Sequence, residues 1–349
     1  MRREGEPLVD WLLRRNADQA SEFTNPDAVL QRAQYRARHP TAIAALKCMD
    51  GRLLLPYFTK TPPGIIQPFR NIGGMFDLGW PFFSALMKEW VEKSVRHGND
   101  CLVLITYHYS KGDTHRGCAG HGFDTEAAKN MAYRLQNQFA GVFGTTVVIP
   151  IVVGIETDED ALTFHSDTDV VFSVADHVFD SEDMVRKEIA DLYPDISPRA
   201  YEDLIPLITG NQAHVAEVRA AKRAPLDAEH REQILAIGRG FDWLHMPNKA
   251  LIVGPFSYDL GQPVATAGSI LLSNVTEGRV PKEDGVVVIT SAPYRGSDMI
   301  ERHIAVEKAK SLMTFAMETL TARVPALMPL ITPLAGIVDA ETRVFTSCK

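Results

Sequence analysis

Four residues in the first third of the chain carry donor atoms suited to a metal ion: Cys48, Cys118 and two histidines, His108 and His115. Two thiolates and one imidazole form a set that zinc favours, and with three protein ligands the ion keeps a fourth position open for water. Zinc held in this way lowers the pKa of its water to about 7. Cys48 also opens the run Cys48-Met49-Asp50-Gly51-Arg52. An Arg beside a carboxylate holds it ionised, as an acceptor only. Asp50 is then suited to take a hydrogen bond from a nucleophile and turn its lone pair toward a small electrophile. The plainer role for a lone cysteine is packing, since Cys is among the most buried residue types. Cys101 and Cys348 are read that way.

These residues can meet only if secondary structure delivers them to one edge. Residues 42–46 read as a short apolar strand leading into the Cys48 run. Residues 102–106 read as a strand buried on both faces, followed by His108 and then His115-Arg116-Gly117-Cys118. Helical spacing over 82–95 puts Phe83, Leu86, Met87, Trp90 and Val91 on one face. A second helix over 125–139 and a buried strand over 147–154 follow. Strands alternating with helices mean an α/β fold with a mostly parallel sheet, in which ligands gather at the carboxyl ends of the strands. Before this unit, residues 1–40 read as helical, with Asn25-Pro26 starting a second helix. After it, residues 167–245 read as mostly helical and charged, punctuated by Pro194, Pro198, Pro206 and Pro225. Strands return at 250–253 and 286–290.

That return is a repeat. CLVLITYHYSKG at 101–112 matches GVVVITSAPYRG at 285–296, an offset of 184, and GIETDEDALTF from Gly154 matches GIVDAETRVF from Gly336, an offset of 182. Two matches in one order at nearly one offset imply a two-fold duplication packed as an internal pseudo-dimer, unlike a solenoid array of three or more short units. The expected organisation is a helical segment 1–40, a catalytic zinc domain 41–166, a helical linker or insertion 167–245 and a degenerate, metal-free repeat 246–349. Aligning 249–258 on 43–52 puts Gly254 at Cys48, Phe256 at Asp50 and Tyr258 at Arg52, with Ala292 at His108. No metal site can be built from those side chains.

The chain of 349 residues fits roughly two domains. Its 36 Lys and Arg against 44 Asp and Glu leave a net charge of −8, which argues against a general binder of nucleic acid or anionic membrane. The longest apolar run, near 147–155, is far short of the ~20 residues that cross a bilayer. The N-terminus mixes basic and acidic residues and reads as untargeted. Four cysteines are too few for a disulfide scaffold, so a reducing cytoplasm is the expected location. The chain has no Walker loop, no dinucleotide-binding G-x-G-x-x-G after a strand, no G-x-S-x-G elbow and no zinc-deaminase pattern.

The C-x-D-x-R run followed by a His…Cys pair on the next strand end resembles the β-class carbonic anhydrases. Pro62-Pro63-Gly64, then Phe69-Arg70-Asn71-Ile72, is similar to that family's Q-P-G…R-N stretch. The resemblance covers roughly residues 41–160. Among these enzymes the chain is most similar to the divergent carboxysomal shell type, which has a long His-to-Cys spacing, a preceding helical segment and a second, metal-free copy of the fold. The resemblance implies reversible hydration of CO2 to bicarbonate, with Zn2+ held by Cys48, Cys118 and one histidine, and Asp50 and Arg52 as the catalytic pair. Spacing to Cys118 fits His115 as the nitrogen ligand, but a strand end is positioned by the sheet whereas His115 sits in a loop, so His108 is the expected ligand and His115 its competitor. The family's usual Ser is Gly51 here, and its substrate-side Gln is Pro62. The resemblance further implies a homo-oligomer built from pseudo-dimeric chains, with carboxysome partners left open because residues 1–40 are shorter than a long shell anchor. His121 is expected in a loop or as an outer donor, and His165, His177, His214, His230 and His245 at the surface or in structural roles. Met75, Phe76, Trp80, Phe82 and Phe83 are expected to form core or the wall of a substrate tunnel. Two other functions compete with CO2 hydration: hydrolysis of carbonyl sulfide or carbon disulfide, and a catalytically dead scaffold or sensor.

Overall fold

The computed structural model describes residues 2–3, 5–166, 170–222, 230–244, 246, 248–296 and 298–348. Helices α1 (Leu8–Thr24) and α2 (Pro26–Arg38) break at Asn25-Pro26, where proline has no N–H to continue the first helix. A first α/β array follows: β1 (Ala42–Cys48), α3 (Leu55–Phe58), β2 (Ile66–Asn71), α4 (Pro81–Arg96), β3 (Cys101–Tyr109), α5 (Thr125–Phe143), β4 (Val148–Glu156), β5 (Ala161–His165) and β6 (Val171–Ser173). Helices α6 (Glu182–Leu192) and α7 (Pro198–Ala221) lead to the second array: β7 (Ile234–Gly238), β8 (Ala250–Val253), α8 (Gly261–Thr276), β9 (Val286–Tyr294), α9 (Met299–Arg323), β10 (Ile331–Asp339) and β11 (Phe345–Ser347). No helix among the described residues is long and apolar enough to cross a membrane.

The chain divides into two compact units. One comprises Leu30–Cys48 and Arg52–Glu229; the other comprises Met1–Val29, Met49–Gly51 and His230–Lys349. The first unit holds a sheet of order β2-β1-β3-β4-β5-β6, parallel from β2 to β4 and antiparallel beyond. Every residue of β3 up to His108, and every residue of β4, is buried, as a parallel sheet covered on both faces requires. The second unit holds a sheet of order β11-β10-β9-β7-β8, parallel from β8 to β10 with β11 antiparallel. Leu8, Trp11 and Leu12 of α1 belong to its core with Ile234, Trp243, Ile252 and Phe345. The N-terminal helix thus belongs by its packing to the second sheet, whereas a split at residue 40 would set it apart.

The registers of the two sheets carry the duplication. Leu102 pairs with Ile149 in the first sheet, and Val286 with Ile331 in the second, which are the offsets of 184 and 182 seen in the sequence. The same correspondence corrects the alignment of the first strand. The strand beside β9 is β7, as β1 lies beside β3, and β8 takes the place of β2. Gly238, paired with Ser291, therefore stands where Cys48 stands in the first sheet, and Gly254 falls at Asn71. The stretch 167–245, read as mostly helical, contains strands β6 and β7. Ile234-Leu235-Ala236-Ile237-Gly238 is a fully buried run too short for periodicity to separate strand from helix. At the positions corresponding to Cys48 and His108 the second sheet carries Gly238 and Ala292, of which only the first differs from the sequence alignment. His245 lies outside the described residues.

A polar trio centred on the buried His165 ties β3, α5 and β5 together. The Tyr107 hydroxyl lies 2.9 Å from Nε2 of His165 and the Tyr133 hydroxyl 3.0 Å from Nδ1. Burial pushes the His165 pKa down to about 4, and nearby Lys129 adds to the effect. The folded protein thus keeps His165 neutral where the unfolded chain, with a pKa near 6.5, binds a proton. Stability is full above about pH 6.5, falls as pH drops toward 4 by up to ~1.4 kcal/mol per unit, and levels off below. Denaturant unfolding across this range is expected to show that slope in the wild type and a shallower one in His165→Gln.

Candidate metal centre

Adjacent parallel strands bring the first two donors together. Cys48 is the last residue of β1, and His108 is the penultimate residue of β3, its neighbour; Leu46 pairs with Ile105, and the Thr106 hydroxyl donates to the Leu46 carbonyl at 3.1 Å. Both side chains leave at the carboxyl ends of their strands. Cys118 comes from the loop beyond β3, between two single 3-10 turns at Thr114–Arg116 and Ala119–His121. His121 pins that loop, with Nε2 2.9 Å from the Gly73 carbonyl.

Donor atoms of Cys48, His108 and Cys118 all lie within 4.8 Å of one another, and all three side chains are buried. The two sulfurs are 3.9 Å apart, far too long for a disulfide. Two sulfurs ~2.3 Å from one ion at a tetrahedral angle stand about 3.8 Å apart, so the observed spacing suits a shared ion. His108 adds a second test of fit. It is 2% exposed, and neither ring nitrogen has a hydrogen-bond partner among the described residues. A buried nitrogen left unpaired costs ~1–3 kcal/mol, a penalty that coordination removes. His115 is elsewhere: its side chain is 81% exposed, with Nδ1 3.3 Å from Asp113.

Asp50 and Arg52 are both buried. The guanidinium of Arg52 donates to the Arg116 carbonyl at 2.9 Å, two residues before Cys118. Asp50 sits in a short stretch whose backbone adds to the edge of β8: Ile252 N–H donates to the Met49 carbonyl at 2.9 Å, and Asp50 bridges Leu251 antiparallel. Gly51 follows at a point of backbone crowding, where an added Cβ would fall 2.1 Å from the Ala250 carbonyl oxygen. Glycine at this position, where the resembling enzymes carry Ser, is therefore a steric requirement of this chain.

The remaining candidates are dispersed. Phe76 and Phe83 are fully buried and stacked at 4.9 Å, which makes them core, while Phe82 is exposed. Cys101 is buried, and burial lifts its thiol pKa to about 11, as suits a packing residue. His177 bonds the Ser173 carbonyl, His214 pairs with Asp160 and His230 with Glu232. Sequence reasoning missed the acidic turn after β4. Glu156 and Asp158 hold the backbone of the Cys118 loop, and the only trace of this in the sequence is the clustering of acids in Glu156-Thr157-Asp158-Glu159-Asp160.

Residues 37–213 match the family model described as the catalytic domain of carboxysome shell carbonic anhydrase. Curated relatives bearing that enzyme's name include one from Prochlorococcus marinus, 23% identical over 288 residues, covering 71% of this chain and 54% of the relative. Another, from Hydrogenovibrio crunogenus, is 26% identical over 250 residues, covering 59% and 46%. A third, from Halothiobacillus neapolitanus, is 29% identical over 145 residues, covering 36% and 27%. The chain spans about half the length or less of the curated relatives it matches.

Because Gly51 has no room for a side chain, Gly51→Ser is expected to lower unfolding free energy by ~1–3 kcal/mol, the usual cost of overpacking. Denaturant titration of the two proteins measures the difference.

Proposed function

The chain belongs to the carboxysome shell carbonic anhydrase family, and from that premise we propose that it hydrates CO2 reversibly to bicarbonate at a zinc ion held by Cys48, His108 and Cys118. The observation that carries this reading is the convergence of three buried donors, one of them a histidine whose two ring nitrogens have no hydrogen-bond partner among the described residues. A zinc ion held there supplies a Lewis acid that brings the ionisation of water down to about pH 7.

The protein's own groups do the rest. Cys48 and His108 at their strand ends and Cys118 on its loop would hold the ion, three protein ligands being a set that can leave a fourth position for solvent. Their burial lowers the local dielectric, which strengthens every charge interaction there. Asp50 is assigned as the acceptor that orients the nucleophile, and Arg52 as the cation that keeps it ionised while gripping the loop of Cys118. CO2 carries no charge and needs no basic pocket, in keeping with the acidic balance of the chain. The relatives' name places them at the carboxysome shell, and we assign the same location to this chain, working as a homo-oligomer.

Metal analysis is expected to give about one zinc per chain in the wild type and in His115→Ala, and almost none in Cys48→Ala or His108→Ala. Asp50→Asn should keep its zinc while CO2 hydration, followed by stopped-flow, falls by ~10²–10⁴-fold. Zinc-loaded wild type that hydrates no CO2 would reject the reading. Turnover of carbonyl sulfide or carbon disulfide in its place would make the chain a hydrolase, and a native protein without metal would make it a scaffold.

A further inference from the structure

Nine residues separate His108 from Cys118. A loop of that length leaves its far end free to wander unless something other than the strand fixes it. In the structure His121 pins the loop beyond Cys118 and Arg52 holds the Arg116 carbonyl, while the groups that fix the loop's Ser110–Asp113 stretch come from the turn after β4. Tyr109, at the end of β3, pairs with Glu156, at the end of β4. From there one Glu156 oxygen accepts the Lys111 N–H at 3.0 Å, while its carboxylate also takes the N–H groups of Asp158 and Glu159. Asp158 reaches across to the same loop. Its Oδ2 accepts the Gly112 N–H and the Ser110 hydroxyl, each at 2.8 Å, and the Ser110 oxygen in turn accepts the Asp113 N–H at 3.0 Å. Its Oδ1 lies 3.6 Å from the Arg116 guanidinium. The Arg116 carbonyl completes the chain of contacts by accepting from Arg52.

We propose that Asp158, seated on the Glu156 turn, is a positioning residue for the metal centre: it fixes the Ser110–Arg116 backbone so that Cys118 is delivered to Cys48 and His108. The inference rests on the metal-binding reading above. It explains how a cysteine on a long loop meets the same geometric demand as one placed a turn after the strand. Burial works against the charge of Asp158, but the Gly112 N–H, the Ser110 hydroxyl, a hydrogen bond from the Glu156 carboxyl and the Arg116 cation outweigh it and hold its pKa below the usual carboxylate range. The carboxylate is therefore charged at neutral pH and able to hold Arg116. Asp158 touches neither donor atoms nor substrate in this scheme; it acts through the loop. Partners of buried ligands of this kind typically change metal affinity by ~10–100-fold when removed.

The test uses the full chain, loaded with zinc and then challenged with an excess of a chromogenic chelator. Asp158→Ala is expected to release zinc ~10–100-fold faster than wild type. Asp158→Asn, which keeps an acceptor of the same shape, should fall between them, and Ser110→Ala removes a single contact should Asp158→Ala fail to fold. The second readout is alkylation of the metal-free proteins, followed residue by residue by mass spectrometry. Modification of Cys118 should accelerate in Asp158→Asn while that of Cys48, anchored on β1, stays at the wild-type rate. Zinc release at the wild-type rate, or Cys48 and Cys118 accelerating together in step with a lower melting temperature, would overturn the proposal. A wild type that binds no zinc at all would instead overturn the metal reading itself.

Discussion

The site depends on the adjacency of two parallel strands. Because β1 and β3 run side by side in the same direction, their carboxyl ends open on one edge of the sheet, and a residue at each end is held to the precision of the backbone ladder. Cys48 and His108 inherit that precision. Parallel strands buried on both faces need long apolar runs and flanking helices, and the chain supplies both. The third donor lacks a strand of its own, and the acidic turn after β4 compensates for that by gathering backbone N–H groups of its loop.

Much of this was legible from residue types and spacing. The apolar runs located β1, β3 and β4, and the break at Asn25-Pro26 separated α1 from α2. The donors Cys48 and Cys118 stood out because each lies beside other chemistry. The preference for His108 over His115 came from its place at a strand end, and their surroundings differ accordingly: among the described residues His108 is enclosed without a hydrogen-bond partner, whereas His115 is exposed beside Asp113. The supporting acids Glu156 and Asp158 carry no motif, since a carboxylate that binds backbone N–H groups looks like any surface acid until the loop it holds is seen. Strand β7 was hidden for a similar reason, as five apolar residues after a charged stretch carry too little periodicity to declare themselves.

The second sheet shows what duplication preserves. Its strand order and pairing registers follow the first, so the constraints of sheet packing survived. The donor positions did not, since Gly238 and Ala292 bear no ligating atoms. A fold is maintained by many distributed contacts, whereas a metal centre would rest on three atoms, so two sheets can share the first without sharing the second. Glycine at 238 also accepts the close approach of the Ser291 carbonyl, with an added Cβ only 2.1 Å away, so the backbone there now requires the absence of a side chain.

The stretch Met49–Gly51 packs with the metal-free sheet, while its immediate neighbours Cys48 and Arg52 belong to the other unit. The main chain therefore leaves one folded body and rejoins it within three residues, at the motif itself. Deleting residues 230–349 would strip Met49 and Asp50 of the backbone partners that Leu251 and Ile252 provide.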